Sequence, residues 1–395
     1  MLRFCALATL LVAPAMAKDI TVEAGPNAQE RLQSALLDAK SGDTVRIGAG
    51  RFELTDGLSL DVNGVTVRGA GADKTVLSFK GQLGAGEGLL VTSDDVVLRD
   101  FAVEDSKGDG IKSKGADRIV YKNVRVEWTG GPKATNGAYG VYPVESENVL
   151  IDGVTVIGAS DAGIYVGQSN RIVVRNSVAK FNVAGIEIEN SGYAEVHDNL
   201  ATHNTGGILV FDLPSLPKRG AGHVAVWGNQ VIDNDTPNFA PKGNIVASVP
   251  TGTGVLVMAA DLVQIGNNTL SGNGTANIMV IAYRQPFDDK GYDPLPHDIM
   301  ISVNKHGRAG YAPAMPGGGM LAAAMGGTLP PILWDGTGGD TVRFIVNDNV
   351  PVLSLGLALG APPESAKPTM PKLSGPLQAL LPPIALPAAM EAAAK

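Results

Sequence analysis

Four motifs of the form glycine, apolar, variable, apolar recur at nearly constant spacing: GVYPV (140–144), GIYVG (163–167), GIEIE (185–189) and GILVF (207–211). Their glycines stand 23, 22 and 22 residues apart. Alternation inside each motif is the signature of a strand, and a fixed period near 22 is the signature of stacked repeats. Each repeat holds a second strand-like run: NVLIDGVTV (148–156), RIVVRNSVA (171–179), YAEVHDNLA (193–201). A strand every ten or so residues, with almost no helical pattern between, excludes ankyrin-type and leucine-rich repeats. The expected fold is all-β: a single-stranded right-handed parallel β-helix in which each coil pairs with the one before.

The coils align on the inward pairs of the second strand: Val96/Leu98, Ile119/Tyr121, Val149/Ile151, Ile172/Val174, Ala194/Val196, Val224/Val226 and Val263/Ile265. Two residues on stand Asp100, Asn123, Gly153, Asn176, Asp198, Gly228 and Asn267. Asn, Asp and Gly suit a turn through the left-handed region, and stacking at about 4.8 Å would let their amides form a ladder.

Around the coils the chain divides as follows. Residues 1–17 read as a signal peptide: Arg3 is the positive end, Ala6 to Val12 the apolar run, and cleavage falls after Ala17. That places the protein in the periplasm or outside the cell, with no membrane span once the signal is removed. Cys5, the only cysteine, leaves with it, so the mature chain has no disulfide, thiolate ligand or cysteine nucleophile. The β-helix is expected over 18–304, with an N-capping helix at about 28–40 that opens on a capping box at Asn27 and buries Leu32, Ala35, Leu36 and Ala39. An irregular cap follows at 305–359, then a Pro/Ala-rich, partly disordered tail at 360–395. Leu377, Leu380, Leu381 and Ile384 of that tail are expected on the open lower end of the stack. The net charge of −8, with both signs interspersed, argues against a nucleic-acid partner.

Two coils carry insertions. One is WTGGPKATNGA (128–138); the other lies in the 47-residue step from Gly207 to Gly254, with loops at 213–222 and 233–253. A third loop, 282–298, follows the last clear coil. Loops on a rigid stack can wall a groove.

In each motif the variable residue points outward. That column reads Leu90, Lys112, Tyr142, Tyr165, Glu187, Leu209, Leu256, Met279, and the next reads Thr92, Lys114, Val144, Gly167, Glu189, Phe211, Met258. Carboxylates for hydroxyls, rings for sugar faces and an ammonium for uronate form a sugar-reading set, with Asp161, His203 and Asp212 beside it. A solvated face with ordinary cross-coil pairs is the alternative. For catalysis, Glu187 and Glu189 are about 7 Å apart by strand rise, loosely the spacing of an inverting glycosidase pair. A lyase or epimerase would instead need a base, and Lys112 or Tyr142 would serve if its pKa were lowered. No histidine pair has zinc spacing, no calcium nonapeptide occurs, and neither metal nor cofactor is expected. Met315, Met320 and Met325 suit a flexible cap, or a Cu(I) role on the alternative reading.

The order of a helix, GDTV (42–45), GAGRF (48–52), VTVRGAG (65–71) and then the repeats resembles the right-handed β-helix superfamily. That superfamily includes pectate lyases, polysaccharide hydrolases, mannuronan epimerases and the copper-site accessory protein of nitrous oxide reductase. YGVYPVE (139–145) is similar to the epimerase signature Tyr-Gly-Phe-Asp-Pro-His, matching at Tyr139, Gly140 and Pro143. Tyr142 and Val144 replace its catalytic Asp and His, so Tyr139 is the one matched catalytic position and the activity is not carried over. The resemblance implies the fold; with the outward sugar-reading set, the leading expectation for function is binding of an envelope or extracellular polysaccharide, with cleavage or epimerisation an open extension. Its alternative is a non-catalytic periplasmic scaffold serving a redox or metal enzyme, with a protein partner.

Overall fold

The computed structural model describes residues 17–395. The signal-peptide segment and Cys5 lie outside the described residues. Each complete coil contributes one strand to each of three parallel sheets. In one coil these are Tyr139–Val144, Glu147–Asp152 and Thr155–Ile157. The first sheet holds 11 strands, the second 12 and the third 10. The inward pairs fall in register, with Ile119 opposite Val149, Val149 opposite Ile172, and Val224 opposite Val263. Their side chains fill one continuous core of Val, Ile and Leu that runs the length of the stack.

The periodic glycine has a steric cause. A Cβ on Gly140 would lie 2.2 Å from core Val156 Cγ1 and 2.6 Å from the Gly163 carbonyl of the next coil, and one on Gly185 would lie 2.5 Å from the Gly207 carbonyl. At these coils a larger residue would strike its neighbour, so the backbone would have to shift.

The turn column takes the left-handed conformation, with φ of 62° at Asp100, 52° at Asn123, 70° at Gly153, 52° at Asn176 and 54° at Asn267. The long amide ladder, however, is built one residue later than expected. Asn199, Asn229, Asn268 and Asn304 each pass a side-chain oxygen to the backbone N–H of the coil before, at 2.9–3.0 Å, and Asp348 ends the row. A second ladder, Asn182, Asn204, Asn234 and Asn273, lines the corner before the first sheet. These amides point into the coil, where turn N–H groups would otherwise be buried without partners.

At the top, α1 (Ala28–Asp38) covers the core with Ala28, Leu32, Ala35 and Leu36. Asn27 sits at its N-cap at φ 55° and makes no side-chain capping bond, so the expected capping box does not form. The helix blocks the edge of the first sheet instead: Gln33 Nε2 donates to Ser59 O at 3.0 Å, and Ser59 N donates to Gln33 Oε1 at 2.9 Å.

Strands continue past residue 304, at Ile332–Trp334, Phe344–Val346 and Val352–Ser354. The last edge is met by Thr369, which exchanges two backbone bonds with Ser354 at 2.9 Å. Leu377 and Leu380 do not dock on the lower end; they are 66% and 79% exposed. The tail turns back up the outer face of the second sheet. Gln264 clasps it at Ala379 and Leu381, and Arg171 donates to the Ala385 carbonyl. Arg175 pairs with Glu391, and Leu386 and Met390 pack on Val120, Leu150 and Val173.

Candidate functional site

The outer face of the first sheet is divided. Its lower part carries Leu209, Phe211, Leu256, Met258 and Met279, packed under Val246, Val249, Tyr283 and Tyr292 of the loops in a second apolar cluster. Phe211 is fully buried and so cannot stack on a ligand. The expectation of an open central face from Lys112 to Phe211 is corrected: Tyr165, Glu187, Glu189 and Phe211 are under cover, and the open part is the upper one, at Lys112, Lys114 and Tyr142. The long insertion is the cause. Its 233–253 loop folds back up the face, where Asn238 Nδ2 holds the Val246 and Val249 carbonyls at 2.9 Å each.

At the boundary between covered and open halves lies a cluster of tyrosines and carboxyls. Tyr142, Tyr165 and Glu187 occupy equivalent positions on three successive coils. The rings of Tyr139, Tyr142 and Tyr165 meet with centroids 4.5, 4.5 and 4.9 Å apart. Tyr165 is 3% exposed, Glu187 1% and Glu189 6%; Tyr139 and Tyr142 are half-buried at the mouth. The Tyr165 hydroxyl donates to Glu189 Oε1 at 2.5 Å. Gly167 permits this, since the Tyr165 ring lies across it. Asp161 accepts a bond from Asn244 Nδ2 at 2.8 Å, 83 residues away, and stands one residue from Ala162, the register partner of Tyr139.

The Glu187 and Glu189 side chains lie on one face of the same strand, both under cover. Burial, then the charge of Glu189, pushes Glu187 well up, and burial likewise raises Glu189. Two buried carboxyls this close disfavour each other's ionised form. Glu187 Oε2 meets no hydrogen-bond donor. Burial also raises Asp161 to about 7, against the Asn244 bond, and Asp109 to about 6, against the Lys112 charge.

Tyr142 is pushed up to about 12, by burial first and then by Asp109 and Glu189, which is opposite to the lowering that a role as base would need. Tyr139 moves the same way, from burial and the charge of Asp161. Lys112 stands over the Tyr142 ring at 4.9 Å, with Glu87 Oε1 at 3.3 Å and Asp109 Oδ2 at 3.8 Å. Lys114 pairs with Glu145 at 3.6 Å.

Two expected members stand apart. Asp212 accepts from Gly220 N at 3.0 Å beneath the 213–222 loop, and burial raises it to about 6. His203, at φ 52°, stacks on Phe181 at 5.3 Å and bonds Asp235 at 2.9 Å. Its partners are corner residues.

Glu87, Asp109 and Asn244 were not read from the sequence. Glu87 and Asp109 had a signal. The side-chain position of each periodic glycine points at the core, so the residue before it faces outward, and that column runs Glu87, Asp109, Tyr139. Asn244, at the tip of an irregular loop, had none. Among the described residues no group of three or more His, Cys, Asp or Glu is placed to hold a metal. Among them, too, no helix is long and apolar enough to cross a membrane.

Three stacked parallel sheets with this register define a right-handed parallel β-helix protein. The family described as right handed beta helix region matches residues 61–216. A search of curated proteins finds no match. Among solved structures, the A-module of the Azotobacter vinelandii mannuronan C-5 epimerase AlgE4 is similar at 15% identity and a TM-score of 0.52, over 74% of this chain and 95% of that one. The AlgE6 A-module of the same organism is similar at 15% identity and a TM-score of 0.50, over 75% of this chain and 97% of that one. At that identity the likeness is one of fold.

Proposed function

We propose that this protein binds a polysaccharide on the open upper half of the first sheet, at the mouth formed by Tyr139, Tyr142, Lys112, Lys114, Asp109 and Asp161. The observation that carries this reading is the three-tyrosine cluster, half-buried at its upper rim and fixed from below by Glu189. Rings held rigid beside charged groups offer a sugar both an apolar face and hydroxyl partners at small entropic cost. Tyr165, Glu187 and Glu189 then act as the floor that orients the mouth, and Phe211 and Asp212 support the covered half. Export to the periplasm or beyond is part of the same proposal and follows from the first 17 residues.

A second reading is that the bound glycan is also cleaved or epimerised. It is favoured by one observation, the buried Asp161 carboxyl, held by Asn244 beside the tyrosine cluster and raised by burial to about 7, a group able to pass a proton.

The test is a glycan array probed with the wild type and with Tyr142→Ala. Binding to at least one polysaccharide, weakened about tenfold or more in the variant, is expected, since base- or sugar-facing aromatic contacts contribute on this scale. An array without any bound glycan overturns the reading. Product formation by the wild type and not by Asp161→Asn would establish the catalytic extension.

A further inference from the structure

The charges at the mouth bear on which polysaccharide it takes. Glu87, Asp109 and Asp161 line it, Glu187 and Glu189 lie directly behind, and Glu145 stands at its flank. Against these six carboxyl groups the same face offers two cations, Lys112 and Lys114. Both are already paired, with Glu87 and Asp109 and with Glu145. A uronate would meet surplus carboxylate and two neutralised ammonium groups, so a polyanion is repelled.

The arrangement suits the opposite charge. The outer faces of Tyr139 and Tyr142, beside carboxylates, attract an ammonium through both ring quadrupoles and Coulomb attraction. One of these rings already has a cation over it: the Lys112 ammonium stands 4.9 Å from the Tyr142 centroid. Deeper in, the buried Glu187 Oε2 is without a donor, leaving an acceptor unfilled.

Resting on the proposed polysaccharide reading, we infer that the ligand is an amino-sugar polymer carrying free amines, whose ammonium groups dock between Tyr139, Tyr142, Asp109 and Asp161. Lys112 is then an internal occupant that a ligand amine displaces or sits beside. An ammonium arriving next to Asp161 favours its ionised form, so binding releases a proton.

The inference is tested by calorimetric titration of the full chain with three hexasaccharides: β-1,4-linked glucosamine, the same sugar fully N-acetylated, and oligomannuronate. The glucosamine hexamer is expected to bind about tenfold more tightly than its N-acetylated counterpart and the uronate to bind weakest, as for a close desolvated charge contact. Lys112→Met should tighten glucosamine binding about threefold, because it removes a competing cation, and Asp161→Asn should weaken it about tenfold. Lys112 is on the surface, so its variant remains informative if Asp161→Asn does not fold. Preference for the uronate, equal binding of amine and N-acetyl hexamers, or weaker glucosamine binding by Lys112→Met overturns the amino-sugar inference while leaving polysaccharide binding in place. So does failure of all three hexamers when another array glycan binds. Failure of every glycan overturns both.

Discussion

Tyr165 and Glu189 lie on successive coils, and the tyrosine hydroxyl reaches down to the glutamate at 2.5 Å across the bare backbone of Gly167. The bond fixes the floor of the tyrosine cluster, and its partner carboxyl shares a strand face with Glu187. Gly167 occupies the position opposite Glu189 in the neighbouring strand. Its lack of a side chain is what lets the ring lie flat.

That geometry makes Gly167→Ala a sharp probe. The added Cβ would lie 2.4 Å from the Tyr165 ring and 2.5 Å from its hydroxyl oxygen. The ring must lift or the strand must shift, at a cost of roughly 1–3 kcal/mol by analogy with overpacked cores. The expected outcome is a lower melting temperature with weakened glycan binding. Gly192→Ala, whose Cβ would have no atom closer than 3.5 Å, serves as the control.

Acid pH should stabilise the carboxyl cluster. Burial raises Asp161 to about 7 and Asp109 to about 6, while an unfolded aspartate titrates near ~3.9. The native state therefore holds these protons more tightly than the unfolded state. Their stabilising contribution is complete below about pH 4 and is lost as pH rises through about 7. Thermal melts of wild type and Asp161→Asn between pH 4 and 8 check this: the advantage of the wild type should shrink with rising pH. Glu104 and Asp152 shift downwards because their partners outweigh burial, Arg51 and Arg125 at Glu104 and Asn176, Arg175 and Lys122 at Asp152, so they act at the acid end of the range and cancel in the comparison.

The asparagine ladder should be most sensitive at its centre. Asn229 Oδ1 accepts from Asn199 N and Nδ2 at 3.0 Å each, and its own Nδ2 donates to Val196 O at 2.8 Å. Asn229→Ala leaves those buried groups without partners, a loss of roughly 2–3 kcal/mol. Asn304→Ala, at the half-buried end of the row, should lose about 1 kcal/mol. Denaturant midpoints of the two variants measure the difference.

The repeat and the register were readable because both follow from local sterics. Glycine recurs where a side chain would strike the next coil, and Val or Ile recurs where the core is. Lys112, Tyr142, Tyr165 and Glu187 fall in one outward column for the same reason. What lay beyond the sequence was which outward residues stay exposed. That depends on the 233–253 loop, whose Asn244 meets Asp161 across 83 residues with no periodicity to announce it. The alternation of a strand says which side chains point outward and not which of them meet solvent, and Glu187, Tyr165 and Phe211 point outward yet are under cover. The ladder was placed one residue early because Asn and Asp also occupy the left-handed turn position before it. Telling the turn residue from the inward amide requires the backbone itself.

The location of the binding surface is tested most directly by hydrogen–deuterium exchange of the full chain, with and without the glycan that binds best on the array. The account predicts slower exchange confined to residues 108–114, 139–145 and 160–163, with the covered strand 206–211 unchanged. Protection on the second sheet or along the C-terminal tail, with none at 139–145, would contradict it.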